Sequence, residues 1–144
     1  MDGEGGATFD VRNPARGDVI AQVSDFSRNQ ANKAISAAES AQKSWAALTA
    51  KERSIIMRRW FDLMIKNADD LATILTAEQG KPLSEAKGEI IYGASFIEFF
   101  AEEAKRIYGE TIPGHQRDKR ITILKQPIGV AASITPWNFP NAMI

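Results

Sequence analysis

The chain has 144 residues, of which 44% are hydrophobic and 25% are charged, as expected for a globular protein with a core of its own. Its 18 basic residues balance its 18 acidic residues, which argues against a nucleic-acid surface, and no apolar run approaches the roughly 20 residues of a membrane span. It contains no cysteine, which excludes disulfides and a thiolate nucleophile within these residues, and no metal site is expected around the single histidine, His115.

The N-terminal region is predicted to combine a polar leader with a hairpin. Residues 1–8 are acidic and glycine-rich and lack the apolar segment of a secretory signal, so we predict a flexible leader and a cytoplasmic location. Residues 13–18, Asn-Pro-Ala-Arg-Gly-Asp, have the composition of a turn. This turn would join two short strands at residues 9–12 and 19–23.

Two capping boxes predict the next two helices. Ser27 pairs with Gln30 and Thr49 pairs with Glu52, which is the spacing at which side chain and backbone cap each other. Apolar residues recur at helical spacing after each box. In the first helix this stripe is rich in alanine and suits close packing. The second helix is expected to point these residues inward: Ile55, Ile56, Trp60, Leu63 and Met64.

Two further helices are predicted before the composition changes. Asn67 is expected to cap the third helix, and Gly80, with Pro82 two residues beyond it, is expected to end it. The longest helix is predicted to begin at Ser84, to run to about Tyr108 and to end at Gly109. Its apolar surface covers more than one face, which is typical of a helix covered on two sides. The stripe comprises Ile90, Ile91, Ala94, Ile97, Phe100, Ala101, Ala104 and Ile107, widened by Phe96 and Phe99.

The charged residues on these helices are interpreted as solvated surface rather than as catalytic groups, because charge on an amphipathic helix normally faces water. His115 is interpreted in the same way, as a surface residue of a polar turn. The helical residues concerned are Arg53, Arg58 and Arg59 and the carboxylate pairs Asp69–Asp70, Glu85/Glu89 and Glu102–Glu103.

The C-terminal third changes from helical to extended patterns. Residues 110–114 and 120–126 predict a two-stranded ribbon, which is marginal alone and whose exposed edge suits subunit pairing. Residues 130–134, Val-Ala-Ala-Ser-Ile, predict a strand buried on both faces. Such a strand needs neighbours at both edges. We therefore expect the chain to be the front part of a larger α/β protein.

Asn138 is the candidate functional residue. It lies between Trp137 and Phe139 and is fenced by Pro136 and Pro140, which restrict the backbone. Asparagine is also a common turn residue and could cap a following helix, so composition alone leaves that interpretation open. The functional alternative is that its amide N–H donates to an anionic or polarised oxygen, a role that needs such rigidity.

Several motifs resemble the NAD(P)-dependent aldehyde dehydrogenase family. Residues 134–140, Ile-Thr-Pro-Trp-Asn-Phe-Pro, are similar to its signature, and Glu78-Gln-Gly-Lys-Pro82 and Asn13-Pro14 match other positions of its N-terminal half. The resemblance is closest to succinate-semialdehyde dehydrogenases. That subgroup is matched at Ile112-Pro-Gly-His-Gln116, Asp118-Lys-Arg120, Lys125-Gln-Pro-Ile-Gly129 and Asn141-Ala-Met-Ile144.

The resemblance implies an α/β fold, helix-rich as it stands. It would comprise the N-terminal helical part and first core strand of the family's cofactor-binding domain, with an extended oligomerisation ribbon. Residues 9–108 would form the hairpin and helices. Residues 109–127 would form half of the ribbon that joins subunits of a homo-oligomer. Residues 128–144 would form the first strand of the dinucleotide-binding fold and the oxyanion loop, where the sequence stops.

The resemblance also implies a mechanism. In this family a cysteine thiolate attacks the aldehyde, an asparagine side chain and a backbone N–H hold the oxyanion, hydride passes to the nicotinamide, and a glutamate activates water. By resemblance, Asn138 is the oxyanion donor. The cofactor, NAD or NADP, would contact Ile134, Thr135, Pro136 and Trp137 as well as Asn138. The expected substrate is succinate semialdehyde, which is oxidised to succinate.

The sequence departs from the family in one decisive respect. It has no cysteine, and the family's catalytic glutamate and glycine turn lie beyond the strand at which this sequence stops. We therefore expect the 144 residues alone to be inactive. The alternative interpretation is a non-catalytic helical fragment that acts only in packing or association.

Overall fold

The computed structural model describes residues 6–144, which form one hairpin, four α-helices, a 3₁₀ turn and a second antiparallel ribbon. The first five positions of the predicted leader lie outside the described residues. The elements are β1 Thr8–Arg12, β2 Val19–Ser24, α1 Arg28–Ala47, α2 Ala50–Lys66, α3 Ala68–Gln79, α4 Leu83–Glu103, the 3₁₀ turn Ala104–Arg106, β3 Glu110–Pro113 and β4 Arg120–Ile123.

The predicted N-terminal hairpin is confirmed. Strands β1 and β2 pair antiparallel, with Phe9 opposite Val23, and the register shifts between Val11 and Arg12. The side-chain oxygen of Asn13 accepts hydrogen bonds from the backbone N–H groups of Ala15 and Arg16, at 2.9 and 3.2 Å. This Asx turn explains locally why the chain reverses at the Asn-Pro segment.

Both capping boxes are present. Ser27 N–H donates to Gln30 Oε1 at 2.9 Å, and Gln30 N–H donates back to Ser27 Oγ at 3.4 Å. At the start of α2, Glu52 accepts from the Thr49 hydroxyl and from the Thr49 backbone N–H, each at 2.8 Å. These two hydrogen bonds favour the charged carboxylate and lower the pKa of Glu52 below its usual value.

Asn67 does not cap α3, so that prediction was wrong. It also terminates α2, and its side-chain amide donates to Leu63 O at 2.7 Å instead of reaching forward. Its φ of −106° and ψ of 19° also differ from the extended conformation usual at an N-cap. The predicted end of α3 is confirmed, because Gly80 lies in the left-handed region at φ 85° and donates to Thr76 O at 3.0 Å.

Helix α4 ends earlier than predicted. Its α-helical part stops at Glu103, and the chain tightens into the 3₁₀ turn at residues 104–106 before Ile107 leaves helical geometry. Gly109 therefore does not terminate the helix. It instead lies against strand β4, where an added Cβ would be 2.5 Å from Ile123 O. The chain is therefore already non-helical where it meets the ribbon.

The core lies between α2, α3 and α4 and is built largely of alanines. The predicted inward face of α2 is only partly correct. Met64 is buried, but Ile55, Ile56, Trp60 and Leu63 are each about half exposed. The alanine stripe of α1 also stays exposed. Within the described residues no other element covers these apolar faces, so their predicted burial was wrong for this chain. The core residues are Met64, Ala68, Ala72, Leu75, Ala86, Ile90 and Ala94.

The C-terminal ribbon is confirmed, but the strand after it is not. Strands β3 and β4 pair antiparallel from Glu110 opposite Ile123 to Pro113 opposite Arg120, and both are exposed. Residues 130–134 form no strand and are exposed throughout. The prediction of a doubly buried strand was wrong here because the described residues offer no sheet at either edge of this segment.

Candidate functional site

The loop formed by residues 136–142, called the Asn138 loop below, is the candidate site. The backbone N–H of Phe139 donates to Pro136 O at 3.2 Å, so Asn138 occupies an inner position of a tight turn. This confirms the turn interpretation, and the described residues between Asn138 and residue 144 form no helix. Asn138 is exposed, and no described residue hydrogen-bonds to its side-chain amide. The amide is therefore available to a ligand.

Lys81 holds the first half of the Asn138 loop. It lies in the connection between α3 and α4, and its side chain is 9% exposed. Its ammonium donates to Glu89 Oε2 at 2.5 Å and to the backbone oxygen of Asn138 at 2.7 Å. The same nitrogen lies 3.9 Å from the ring centroid of Phe139, a cation–π contact. All three directions of the ammonium are therefore engaged within the protein.

Glu89 holds the second half of the loop. Its side chain on α4 is 1% exposed. One carboxylate oxygen accepts from Lys81, and the other accepts from the backbone N–H groups of Asn141 and Ala142 at 2.9 and 3.4 Å. Hydrogen bonds to an ionised group are shorter and stronger than neutral ones. The buried ion pair thus contacts the loop at both ends, on either side of Pro140.

The loop approaches α4 closely because Gly93 has no side chain. A Cβ at Gly93 would overlap the Asn141 side-chain amide and would lie 3.1 Å from Asn141 O and 3.3 Å from Ala142 Cα. The Asn141 amide also donates to Glu89 O at 3.5 Å. Gly93 is itself buried. One face of α4 therefore serves as the seat of residues 141 and 142.

Sequence reasoning missed both anchoring residues. Glu89 was predicted to be exposed helix charge, which is wrong, and Lys81 carried no predicted role. One signal was present: Glu89 lies at helical spacing among Ala86, Ile90 and Gly93, on the apolar side of α4. A carboxylate within an apolar stripe is almost never buried unless it is paired. Lys81, eight positions earlier, is that partner.

The predicted cofactor segment is open to solvent. Ile134 is 98% exposed and Trp137 is 82% exposed, whereas Thr135 is half-buried. Trp137 and Pro140 line a groove of about 300 Å³ together with residues that include Val11. Lys81 is already engaged by Glu89 and the loop, so it is not available to a cofactor phosphate.

An apolar groove of about 400 Å³ lies elsewhere, between α2 and α4. Its lining includes Trp60, Phe96 and Phe100 and contains no charged residue. Such a surface suits packing against apolar groups rather than the binding of an aldehyde that carries a carboxylate. Within residues 6–144, no group of three or more histidine, cysteine or acidic side chains could hold a metal ion. No helix in the same range is long and apolar enough to cross a membrane.

Comparison with known proteins places this geometry in context. The model of the aldehyde dehydrogenase family matches residues 1–144. The chain is 64% identical over 144 residues to glutarate-semialdehyde dehydrogenase of Pseudomonas putida and 60% identical over 144 residues to the NADP(+)-dependent succinate-semialdehyde dehydrogenase of Escherichia coli. All of this chain is aligned in both cases, against 30% of the length of each relative.

A solved structure gives the same result at the level of the fold. The crystal structure of an NADP-dependent enzyme of E. coli matches 99% of this chain with a TM-score of 0.96 and 60% identity, and the match covers 30% of that chain. This chain therefore spans about 30% of the length of the relatives and of the solved structure that it matches.

Proposed function

This chain belongs to the aldehyde dehydrogenase family, and we propose that it supplies the oxyanion-binding part of a semialdehyde dehydrogenase active site through Asn138. One observation carries the proposal. Asn138 is exposed on a turn whose backbone is held by the buried Lys81–Glu89 pair. A donor that is rigid in the backbone and available at the side chain is what stabilisation of a developing negative charge requires.

The chemistry follows from the character of each group. When a thiolate bonds to an aldehyde carbon, the carbonyl π electrons move to oxygen and leave it negatively charged. In the proposed mechanism the Asn138 side-chain N–H donates to that oxygen and lowers the barrier to its formation. The thiolate must come from outside these residues, because the sequence contains no cysteine. The glutamate expected to activate water in the second half-reaction is likewise assigned outside them.

The family depends on NAD or NADP, and we propose that residues 134–137 form part of the cofactor cleft. Bound there, the cofactor supplies the hydride acceptor. The exposed backbone of Ile134, the half-buried Thr135, the restricted ring of Pro136 and the exposed indole of Trp137 support this assignment. They would bind through backbone groups and flat apolar surface rather than through charge.

The proposed substrate is a short aldehyde that carries a carboxylate at its other end. Succinate semialdehyde is the first candidate, from the resemblance of residues 112–129 and from the E. coli relative at 60% identity. Glutarate semialdehyde, one methylene longer, is the second candidate, because the P. putida relative acts on it and is 64% identical. One methylene in a pocket changes binding by only about 1–3 kcal/mol, so both can be substrates.

We propose that the 144 residues are inactive on their own. They contain no cysteine and so no thiolate nucleophile. The part of the chain that the structure describes, residues 6–144, offers no partner strand for the exposed segment at residues 130–134. The alternative, a fragment that acts only by packing or association, is favoured by the apolar faces of α1 and α2 that stay exposed. We also propose that the β3–β4 ribbon pairs with another subunit, because both strands present exposed edges.

The proposal is tested in a hybrid enzyme. Residues 1–144 of this chain replace the matching segment of the E. coli succinate-semialdehyde dehydrogenase, which restores the missing catalytic groups. The substitution Asn138→Ala should lower kcat by about 10²- to 10³-fold, the usual loss for one oxyanion donor. The dissociation constant for NADP(+), measured by fluorescence quenching, should change little.

Two controls sharpen this experiment. Asn138→Asp keeps the shape but replaces the donor with a negative charge, and should lower kcat at least as much as Asn138→Ala. Asn67→Ala removes an asparagine whose side chain caps α2 away from the loop, and should leave kcat unchanged. A hybrid enzyme that keeps its full kcat with Asn138→Ala would refute the proposed function.

A further inference from the structure

We infer that Lys81 and Glu89 are positioning residues for Asn138, and that they set the rate of oxyanion formation without touching the substrate. The inference rests on the proposed function of Asn138. It concerns two residues whose side chains lie almost wholly out of water beneath the exposed loop. Catalysis then depends on how this pair holds the backbone of residues 138–142.

The contacts of the pair all lead to the same loop. Lys81 donates to Asn138 O, and Glu89 accepts from the N–H groups of Asn141 and Ala142. The ion pair between them joins these contacts into one network at 2.5 Å. The loop lies more than fifty positions later in the chain, so the network links distant segments. It fixes the turn from both sides.

The pair is poorly suited to direct acid–base catalysis. Both oxygens of Glu89 are occupied, one by Lys81 and the other by two backbone N–H groups. The ammonium of Lys81 is enclosed by Glu89, by Asn138 O and by the ring of Phe139. Neither group has a free direction toward the exposed side of the loop. Their effect on chemistry must therefore pass through the backbone that carries the Asn138 amide.

Stability alone does not explain a buried ion pair at this position. Replacing both members of such a pair with apolar residues of similar volume is often neutral or stabilising, because two charges no longer have to leave water. Removing one member is harmful, since the other charge is left buried without its counter-ion. A double apolar replacement can thus preserve the fold and abolish only the directed contacts to the loop.

The test uses the hybrid enzyme with the paired replacement Lys81→Met and Glu89→Leu. We expect kcat to fall about 10- to 100-fold, as for displacement of a catalytic group by up to about 1 Å. The dissociation constant for NADP(+) should stay within about threefold of the unchanged hybrid. Lys87→Met is the matched control. Lys87 lies on the same helix as Glu89, but it is exposed and pairs with Asp69 of α3. Removing this ion pair should leave kcat unchanged.

A second measurement separates positioning from a general structural role. If the pair acts through Asn138, adding Asn138→Ala to the paired replacement should lower kcat no further than Asn138→Ala alone. Such non-additivity is expected of residues that act as one unit. Losses that multiply would overturn the inference, and so would a paired replacement that keeps full kcat. If Asn138→Ala itself has no effect, the proposed function fails first and this inference fails with it.

A third measurement needs no substitution and covers the case in which the paired replacement does not fold. In the unchanged hybrid enzyme, the Asn141 and Ala142 amides donate to a buried carboxylate and should exchange with D₂O slowly. Hydrogen exchange followed by mass spectrometry of the peptide that contains residues 138–144 gives this rate. Rapid exchange of these amides would show that the anchor does not hold, and would overturn the inference.

Discussion

Replacing Gly93 with alanine tests the seat of the Asn138 loop on helix α4. The added methyl group enters the space occupied by residues 141 and 142 and overlaps the Asn141 side-chain amide. That amide can rotate away. The backbone atoms cannot, and Asn141 O and Ala142 Cα lie only 3.1 and 3.3 Å from the position that the new Cβ must take. The loop must therefore shift by a few tenths of an ångström.

The size of the effect follows from comparison with Gly88 on the same helix. Nothing lies within 4 Å of a Cβ added at Gly88, so alanine there gains only helix propensity, about 1 kcal/mol. Gly93→Ala has the same gain but adds an overpacking cost of about 1–3 kcal/mol. Because the propensity gain is common to both, the variants should differ in free energy of unfolding by about 1–3 kcal/mol.

The assay compares the two variants in the hybrid enzyme. Thermal unfolding should rank Gly88→Ala above Gly93→Ala, and kcat with succinate semialdehyde and NADP(+) should fall about 3- to 10-fold for Gly93→Ala only. The loss of rate is expected because a displaced loop carries Asn138 with it, and a shift of a few tenths of an ångström uses up much of the roughly 0.5 Å within which catalytic geometry must be held. If Gly93→Ala is as stable and as active as Gly88→Ala, the loop does not depend on this contact and the reasoning is wrong.

Two further predictions concern local backbone and charge. Gly80→Ala should destabilise the hybrid enzyme more than Gly17→Ala. Both glycines have φ of 80° or more, but only at Gly80 would the new Cβ also meet Pro14 Cγ, at 2.9 Å. Equal melting temperatures of the two variants would contradict this prediction. The second prediction concerns a peptide of residues 46–67. Because the pKa of Glu52 is lowered, the capping box should contribute its full helicity above the ordinary pKa of glutamate. That helicity should be lost as the pH falls through the lowered pKa of Glu52. Circular dichroism should show this loss, and Thr49→Ala should remove it; an unchanged titration in that variant would contradict the assignment.

The features that could be predicted from sequence are those decided by neighbours along the chain. The capping box of Thr49 and Glu52 closes within one helical turn, and the end of α3 at Gly80 is favoured by a residue that reaches the left-handed region easily because it has no side chain. The turn that contains Asn138 likewise follows from the prolines around it. In each case the hydrogen bonds that fix the structure join residues a few positions apart, so the sequence pattern carries the information.

The features that were predicted wrongly depend on distant partners. Residues 130–134 have the composition of a buried strand, but a strand forms only where another strand offers its backbone. Helix α4 stops at Glu103, and the returning strand β4 lies against Gly109 further along the chain. Glu89 is buried because Lys81 and the Asn138 loop meet it there. Helical periodicity alone cannot show that such partners exist.

The position of Glu89 explains how one helix can serve both the core and the site. An apolar side chain in this stripe would pack against Ala86 and Ile90 without the cost of desolvating a charge. The carboxylate adds direction, which an apolar side chain cannot supply. Its oxygens accept hydrogen bonds from Lys81 and from two backbone N–H groups. Hydrogen bonds weaken steeply when their angle departs from linear, so these contacts restrict the direction of each donor. Rigid packing of α4 is thereby transmitted to the loop that carries Asn138.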